Sequence, residues 1–182
     1  MDFIDTGLKG LKVLKPLIHG DHRGYFLESY NKKVISEAGI GIDFIQDNEA
    51  ISSKSTFRGF HYQLPPYGQT KLVRVVSGSV FDVVIDIRPD SETYGQHYAI
   101  ELSAQNKLQL LVPKGFAHGY LCLEDHTIFT YKVDAPYSFE HEKGISYLDT
   151  SLNIEWPLPP VNFIVSAKDK VSPPLGSHVA YE

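Results

Sequence analysis

The sequence predicts an all-β fold of the sandwich, jelly-roll or barrel kind, and two observations carry that expectation. Short β-branched and aromatic runs recur between turn residues along most of the chain, and helical periodicity is scarce. A third observation bounds the size. The chain has 182 residues, and roughly 150 residues make an ordinary domain. A chain of this length buries about 70% of the surface it exposes when unfolded, so neither a disulfide nor a structural metal is needed to hold it together. We expect a single domain over residues 1–182, with a Pro-rich tail at 157–182 packed on or near the barrel.

Ten strands are predicted, over residues 11–18, 25–30, 44–51, 56–63, 71–77, 80–88, 97–103, 108–112, 119–123 and 127–133. The segments 71–77 and 80–88 are separated by little more than Gly78, which predicts a hairpin. In the second of them Phe81, Val83, Ile85 and Ile87 alternate with Asp82, Val84, Asp86 and Arg88, so one face is apolar and the other partly charged. That pattern suits a sheet with one side on a core and the other toward a cavity or solvent. Two short helical stretches are expected. The first spans 31–38, with Asn31 as N-cap and Gly39 as the stop, and the second spans 166–170. Beyond Trp156 prolines accumulate at 157, 159, 160, 173 and 174 and strand signals fade.

Composition narrows the partners. Seventeen Lys and Arg face 22 Asp and Glu, giving a net charge of −5 with no basic run, so a nucleic-acid backbone is excluded as the expected partner. A small anion stays available, because a few converging cations bind it whatever the net charge. No apolar run approaches the roughly 18 residues of a membrane span, and residues 1–10 lack the pattern of a secretory signal. The expected location is cytoplasmic, with no membrane partner. The single Cys122, in an apolar run, reads as a buried structural thiol.

Histidine exchanges protons near neutral pH, so the eight histidines are the first candidates for chemistry. Two have distinctive surroundings. His61 lies in Arg58-Gly59-Phe60-His61-Tyr62-Gln63, and His118 follows the turn Pro113-Lys114-Gly115. The spacing Pro113-x-Gly115-x-x-His118 resembles the second signature of the cupin superfamily. Metal-binding cupins pair it with a first signature of two histidines one residue apart and a glutamate. Here that place reads His61-Tyr62-Gln63 with no Glu before Glu92, too few ligands for a catalytic metal.

A fuller resemblance runs from Asp21-x-Arg23-Gly24-x-Phe26-x-Glu28 to Ser166-x-Lys168-Asp169. Between these lie Arg58-Gly59-x-His61-Tyr62-Gln63, Lys71-Leu72-Val73-Arg74-Val75, Val80-Phe81-Asp82-Val83, Asp86-Ile87-Arg88, Glu101-Leu102-Ser103, Pro113-x-Gly115-Phe116-Ala117-His118-Gly119, Tyr131-Lys132 and Ile154-x-Trp156-Pro157. These motifs, in this order, resemble the dTDP-4-dehydrorhamnose 3,5-epimerase family. The resemblance implies a double-stranded β-helix of the cupin jelly-roll type and chemistry without metal or other cofactor. It also implies a homodimer and a dTDP-linked 4-keto-6-deoxy sugar as substrate.

Epimerising a carbon beside a ketone needs a base, a group that stabilises the enolate oxygen, and an acid acting on the opposite face. An imidazole with an ordinary pKa near 6.5 suits the base, and a phenol near 10 still holds a proton to give. His61 and Tyr131 fit these two roles. By the resemblance, Lys71 supplies the cation for the enolate, Asp169 orients the base, and His118 lies beside the substrate. The resemblance further assigns Arg23 and Arg58 to the anionic part of the ligand, and Lys168 and Glu142 to polar contacts. It gives Phe26, Glu28, Gln46 and Asn48 to substrate and nucleotide binding, and Tyr137 to stacking on the base. Strand alternation sets Arg58 and His61 on opposite faces unless Gly59 permits a bulge. The residues after Asn48 and the segment 135–139 are places where specificity varies among relatives. A single epimerase, a metal-dependent cupin and a sugar-nucleotide binding module remain as alternatives to the double epimerase.

Overall fold

In the computed structural model, which describes residues 1–182, thirteen strands and one short helix follow one another. The strands are β1 (Asp2–Asp5), β2 (Lys12–Lys15), β3 (Ile18–Asp21), β4 (Gly24–Leu27), then helix α1 (Lys32–Glu37) and β5 (Gln46–Ser52). There follow β6 (Phe57–Gln63), β7 (Lys71–Ser77), β8 (Ser79–Asp86), β9 (His97–Ser103), β10 (Gln109–Val112), β11 (Phe116–Cys122), β12 (Thr127–Val133) and β13 (Glu142–Gly144). One sheet has six strands in the order β1-β2-β10-β7-β12-β5, another has five in the order β13-β6-β11-β8-β9, and β3-β4 stands apart as a two-stranded ribbon. All named pairs are antiparallel. This is the all-β, jelly-roll architecture expected.

The hairpin expected at Gly78 does not form. β7 pairs with β10 and β12, whereas β8 pairs with β9 and β11 in the other sheet. The chain passes from one sheet to the other at Gly78, whose φ of 76° is a left-handed value that glycine takes at little cost. A Cβ there would lie 2.4 Å from Thr127 Oγ1. Tight glycine turns connect paired strands and strands that switch sheets alike, so the turn signal alone does not separate them.

The sheet switch puts a core between the two sheets, where Val73, Val75, Val80, Val84, Leu110, Tyr120 and Phe129 pack together. The outward face of the five-stranded sheet is covered as well. Phe57, Phe60, Val83, Ile85, Ile87 and Leu121 pack there with Tyr147, and with Trp156, Phe163, Leu175 and Tyr181 from the C-terminal segment. Both faces of β8 are therefore buried, which corrects the expectation of a solvent-facing or cavity-facing charged side along its whole length. On that strand Asp86 survives burial by pairing. Asp86, fully shielded, accepts hydrogen bonds from Arg88, Ser91 and Thr93. On the outer face of the six-stranded sheet, α1 sets Ile35 against Leu14, Leu72 and Leu111.

Other boundaries differ for local reasons. The expected strand 11–18 breaks at Pro16, which has no N–H for a ladder, and becomes β2 and β3. Asn31 caps α1, its side chain accepting from the N–H groups of Lys33 and Val34. The helix expected at 166–170 is only a 3₁₀ turn over Asp169–Val171. β1 and β13 have no counterpart among the predicted strands.

Candidate active site

Between the two sheets opens a cavity of about 650 Å³, within the size range of small-molecule sites. Arg58 and His61 reach it from β6, Lys71 from β7, His118 and Tyr120 from β11, and Phe129 and Tyr131 from β12. Ser166, Lys168 and Asp169 close one side from the C-terminal segment. The floor is aromatic, Tyr120 stacking on Phe129 with ring centroids 3.9 Å apart.

Gly59 makes the presentation of Arg58 and His61 possible. In the pairing of β6 with β11, His118 stands opposite His61 and Tyr120 opposite Arg58, so Gly119 alone faces Gly59 and Phe60. Two residues against one is a β-bulge. It turns Arg58 and His61 to the same cavity, while Phe57 and Phe60 both enter the outer core. Gly59 has φ 133°, and a Cβ on it would sit 2.5 Å from Gly119 Cα. No larger residue fits the close approach.

His61 is bound to Asp169 across the fold, Nε2 to Oδ1 at 2.7 Å. A carboxylate only accepts, so Nε2 carries the hydrogen and the Nδ1 lone pair is left free for a proton. Asp169 is itself held, its N–H donating to Ser166 Oγ at 3.1 Å. Burial pushes the Asp169 pKa up, but the hydrogen bond and charge of His61, the Gly59 N–H and Ser166 outweigh burial and hold it below the usual carboxylate range.

Three further groups complete the electrostatics. Burial pulls the Lys71 ammonium down to about 8, against the opposing charges of Asp82 and Glu142. Burial raises the Tyr131 pKa, partly opposed by Arg58, so the phenol keeps its proton at neutral pH. Arg58 donates through Nε to Ser52 Oγ at 3.1 Å, leaving its terminal nitrogens without a protein partner. At the mouth, Glu142 accepts from Lys168 Nζ at 2.8 Å and from the Tyr137 hydroxyl at 2.8 Å. For Glu142 the burial effect is outweighed by those two bonds and by His61, and its pKa is lowered.

Not every expected site residue comes to this cavity. Arg23 stands on the exposed β3-β4 ribbon, ion-paired with Asp21 at 2.5 Å, and Phe26 beside it is 66% exposed. Glu28 accepts from Asn31 at 3.1 Å, and Gln46 donates to Asn48 at 2.8 Å. Asn48 lines a second hollow of about 270 Å³, which shares Tyr131 with the main cavity. Conversely, Asp82 was not among the expected residues, yet both its oxygens reach Nε2 of His118, at 2.9 and 3.0 Å. Alternation in β8 marks Asp82 as polar and inward, but nothing in sequence joins it to a histidine 36 positions away. Ser52 and Ser166 were missed for the same reason. No group of three His, Cys, Asp or Glu side chains converges to hold a metal, and no helix is long and apolar enough to cross a membrane.

The family model of dTDP-4-dehydrorhamnose 3,5-epimerase matches residues 5–177. The chain belongs to the dTDP-4-dehydrorhamnose 3,5-epimerase family. A family member from Shigella flexneri, the dTDP-4-dehydrorhamnose 3,5-epimerase, is 48% identical over 170 residues, covering 93% of each chain. The structure of the Legionella pneumophila dTDP-6-deoxy-D-glucose-3,5-epimerase in complex with dTDP-4-keto-L-rhamnose superposes with a TM-score of 0.92 at 44% identity, covering 97% of this chain and 93% of that one. A 3′-monoepimerase from Streptomyces bikiniensis, in complex with dTDP-quinovose, is also similar, at a TM-score of 0.89 and 30% identity over 96% and 88% of the two chains. Proteins of this fold therefore include epimerases that act at two carbons and at one.

Proposed function

We propose that this protein is a dTDP-4-dehydrorhamnose 3,5-epimerase, converting dTDP-4-keto-6-deoxy-D-glucose to dTDP-4-keto-L-rhamnose by proton transfer at C3 and C5. The observation that carries the reading is the placement of His61 and Tyr131 on opposite sheets of one cavity. Inversion requires a proton to leave one face of the sugar and another to arrive on the opposite face. His61 Nδ1 takes the proton beside the ketone, and Asp169 stabilises the imidazolium that results. The Lys71 ammonium faces the enolate oxygen, where a fixed cation in a shielded site is most effective. The Tyr131 hydroxyl then returns a proton from the other side. Each inversion is balanced: the C–H electron pair passes into the enolate as N–H forms on His61, a new C–H bond forms as Tyr131 gives up its proton, and before the second carbon turns His61 releases a proton to solvent and the Tyr131 phenolate takes one from it.

Arg58 and Lys168 supply the cations for the diphosphate, and Tyr137 the flat ring for the base. The β3-β4 ribbon exposes Tyr25 and Phe26 away from the cavity of its own chain, a surface suited to a second copy, and in a homodimer Arg23, Phe26 and Glu28 would serve the partner's cavity. A substrate of this kind and the lone buried Cys122 fit a cytoplasmic protein. Residues 1–182 act as one unit in this reading, because Asp169 from the C-terminal segment serves a base on β6.

Proton NMR of dTDP-4-keto-6-deoxy-D-glucose with the protein in deuterated buffer tests the reading. Deuterium at both C3 and C5, with L-configured product trapped by a reductase, is the expected result. Deuterium at one carbon only, as a monoepimerase gives, replaces the double epimerase with a single one. No exchange at either carbon despite saturable binding overturns the enzyme reading. In the same assay Tyr131→Phe retains exchange and loses inverted product, while His61→Ala loses both.

A further inference from the structure

Three carboxylates and three cations stand at or behind the cavity, and their pairing is uneven. Glu142 is bonded to Lys168, and Asp169 to His61. Arg58 bonds only Ser52. Asp82 is fully shielded from solvent, yet its only hydrogen-bond partner is the single N–H of His118 Nε2. A single N–H donor leaves most of the lone pairs of a buried carboxylate unmatched. Lys71, like Arg58, has no bonded anion, but it lines the same cavity as His118 and the charges of Asp82 and Glu142 act on it. Asp82 on β8, His118 on β11 and Lys71 on β7 thus form one electrostatic unit spanning both sheets.

We infer that Asp82 is a positioning residue for the reaction: it fixes His118 with Nδ1 toward the cavity and keeps Lys71 charged while the enolate forms. The inference rests on the epimerase reading and deepens it. With Nε2–H committed to Asp82, the neutral His118 ring offers Nδ1 as an acceptor, suited to a sugar hydroxyl rather than to an oxyanion. The oxyanion is then left to Lys71. The other titratable groups lining the cavity do not replace Asp82. His61 and Arg58 on β6, Tyr131 on β12 and Lys168 on the C-terminal segment carry no negative charge at neutral pH, Asp169 is spent on His61, and Glu142 on Lys168.

The test uses the full chain, first without substrate. Nitrogen-15 NMR of labelled histidine is expected to show His118 as the Nε2–H tautomer. Carbon-13 NMR of labelled lysine, assigned with Lys71→Gln, is expected to show Lys71 losing its proton near pH 8. In Asp82→Asn that midpoint is expected to fall by about one pH unit, the size of one removed charge in a shielded site. The alkaline limb of kcat should shift by the same amount. At pH 8 this means a several-fold loss in kcat, on the order of fivefold, with KM changed by less than about threefold. A merely structural role for Asp82 leaves the limb in place. A Nδ1–H tautomer of His118, or an unshifted Lys71 midpoint in Asp82→Asn, overturns the inference. Should Asp82→Asn not fold, the His118 tautomer of the parent decides it, since an Nδ1–H ring cannot make the Nε2–H bond to Asp82 on which the unit is built. The NMR readouts need no substrate, so they stand apart from any failure of the epimerase assay.

Discussion

Asp169 accepts a hydrogen bond from His61 at 2.7 Å although 108 residues separate them in sequence. The contact leaves the imidazole one choice of tautomer, with Nδ1 as the basic atom. Asp169→Asn keeps the size of the side chain and can donate to Nε2, which moves the ring hydrogen to Nδ1 and removes the base. We expect kcat to fall about 10²- to 10⁴-fold, as for other carboxylate-supported histidines, with KM changed little. Steady-state kinetics together with solvent-deuterium exchange checks this, and exchange should fall in parallel with turnover.

Lys71 sets the behaviour at alkaline pH. Its proton leaves near pH 8 in the folded protein, so activity should decline as pH rises through that value. The stability effect has the opposite sign. Because the unfolded chain keeps the lysine proton up to about 10.4, it binds more protons than the folded state in the window from about 8 to 10.4, and stability contributed by this group rises with pH there. Replacing the buried ammonium by Lys71→Met should abolish turnover. It should also stabilise the protein at pH 7 by on the order of 1–3 kcal/mol, read from urea unfolding.

Arg23 and His61 provide a test of shared sites. If the β3-β4 ribbon serves the cavity of a second copy, Arg23→Ala and His61→Ala should complement each other. Each variant alone is expected to be impaired. Mixed and allowed to exchange subunits, they should regain up to about a quarter of the parental rate, the statistical share of intact sites in random heterodimers. Activity that stays at the average of the two separate variants places Arg23 in its own chain's site or outside any site.

Asp86 is a stability residue on the same strand as Asp82. Burial would raise its pKa, but hydrogen bonds from the side chains of Arg88, Ser91 and Thr93 and from the Arg88 N–H outweigh burial and bring it to about 2. Its folded pKa lies below the unfolded one, so the stability it contributes is present above about pH 4 and is lost as pH falls toward 2. Asp86→Asn should cost about 2–4 kcal/mol at pH 7 and flatten the acid limb of the unfolding curve.

Gly59→Ala tests the bulge. The added methyl would meet the backbone of β11 at 2.5 Å and 2.7 Å, and φ 133° suits no side chain. A loss of roughly 2–4 kcal/mol is expected. In any folded fraction, kcat should drop further than the folded fraction accounts for, because Arg58 and His61 no longer share the cavity.

The fold class and most strands were legible because β-branched alternation is local, and β7, β9 and β12 lie where the pattern puts them. The path between sheets was not, since Gly78 serves a sheet switch as readily as a hairpin. His61 and Tyr131 could be picked out as candidates from residue chemistry, and the cavity brings both together. Asp82 could not, because its meaning depends on the register that sets β8 against β11. Likewise the common facing of Arg58 and His61 turned on one glycine whose bulge has no distinctive local pattern.

The route of the C-terminal segment has a consequence for how competence is acquired. All thirteen strands end by Gly144, whereas Asp169 lies well beyond the last of them, in the C-terminal segment. Without that segment in place the His61 imidazole is free to take either tautomer, and the cavity lacks the side that Ser166, Lys168 and Asp169 close. Docking of the last segment is therefore the step that completes the cavity, and a chain with that segment undocked is expected to be silent toward the sugar.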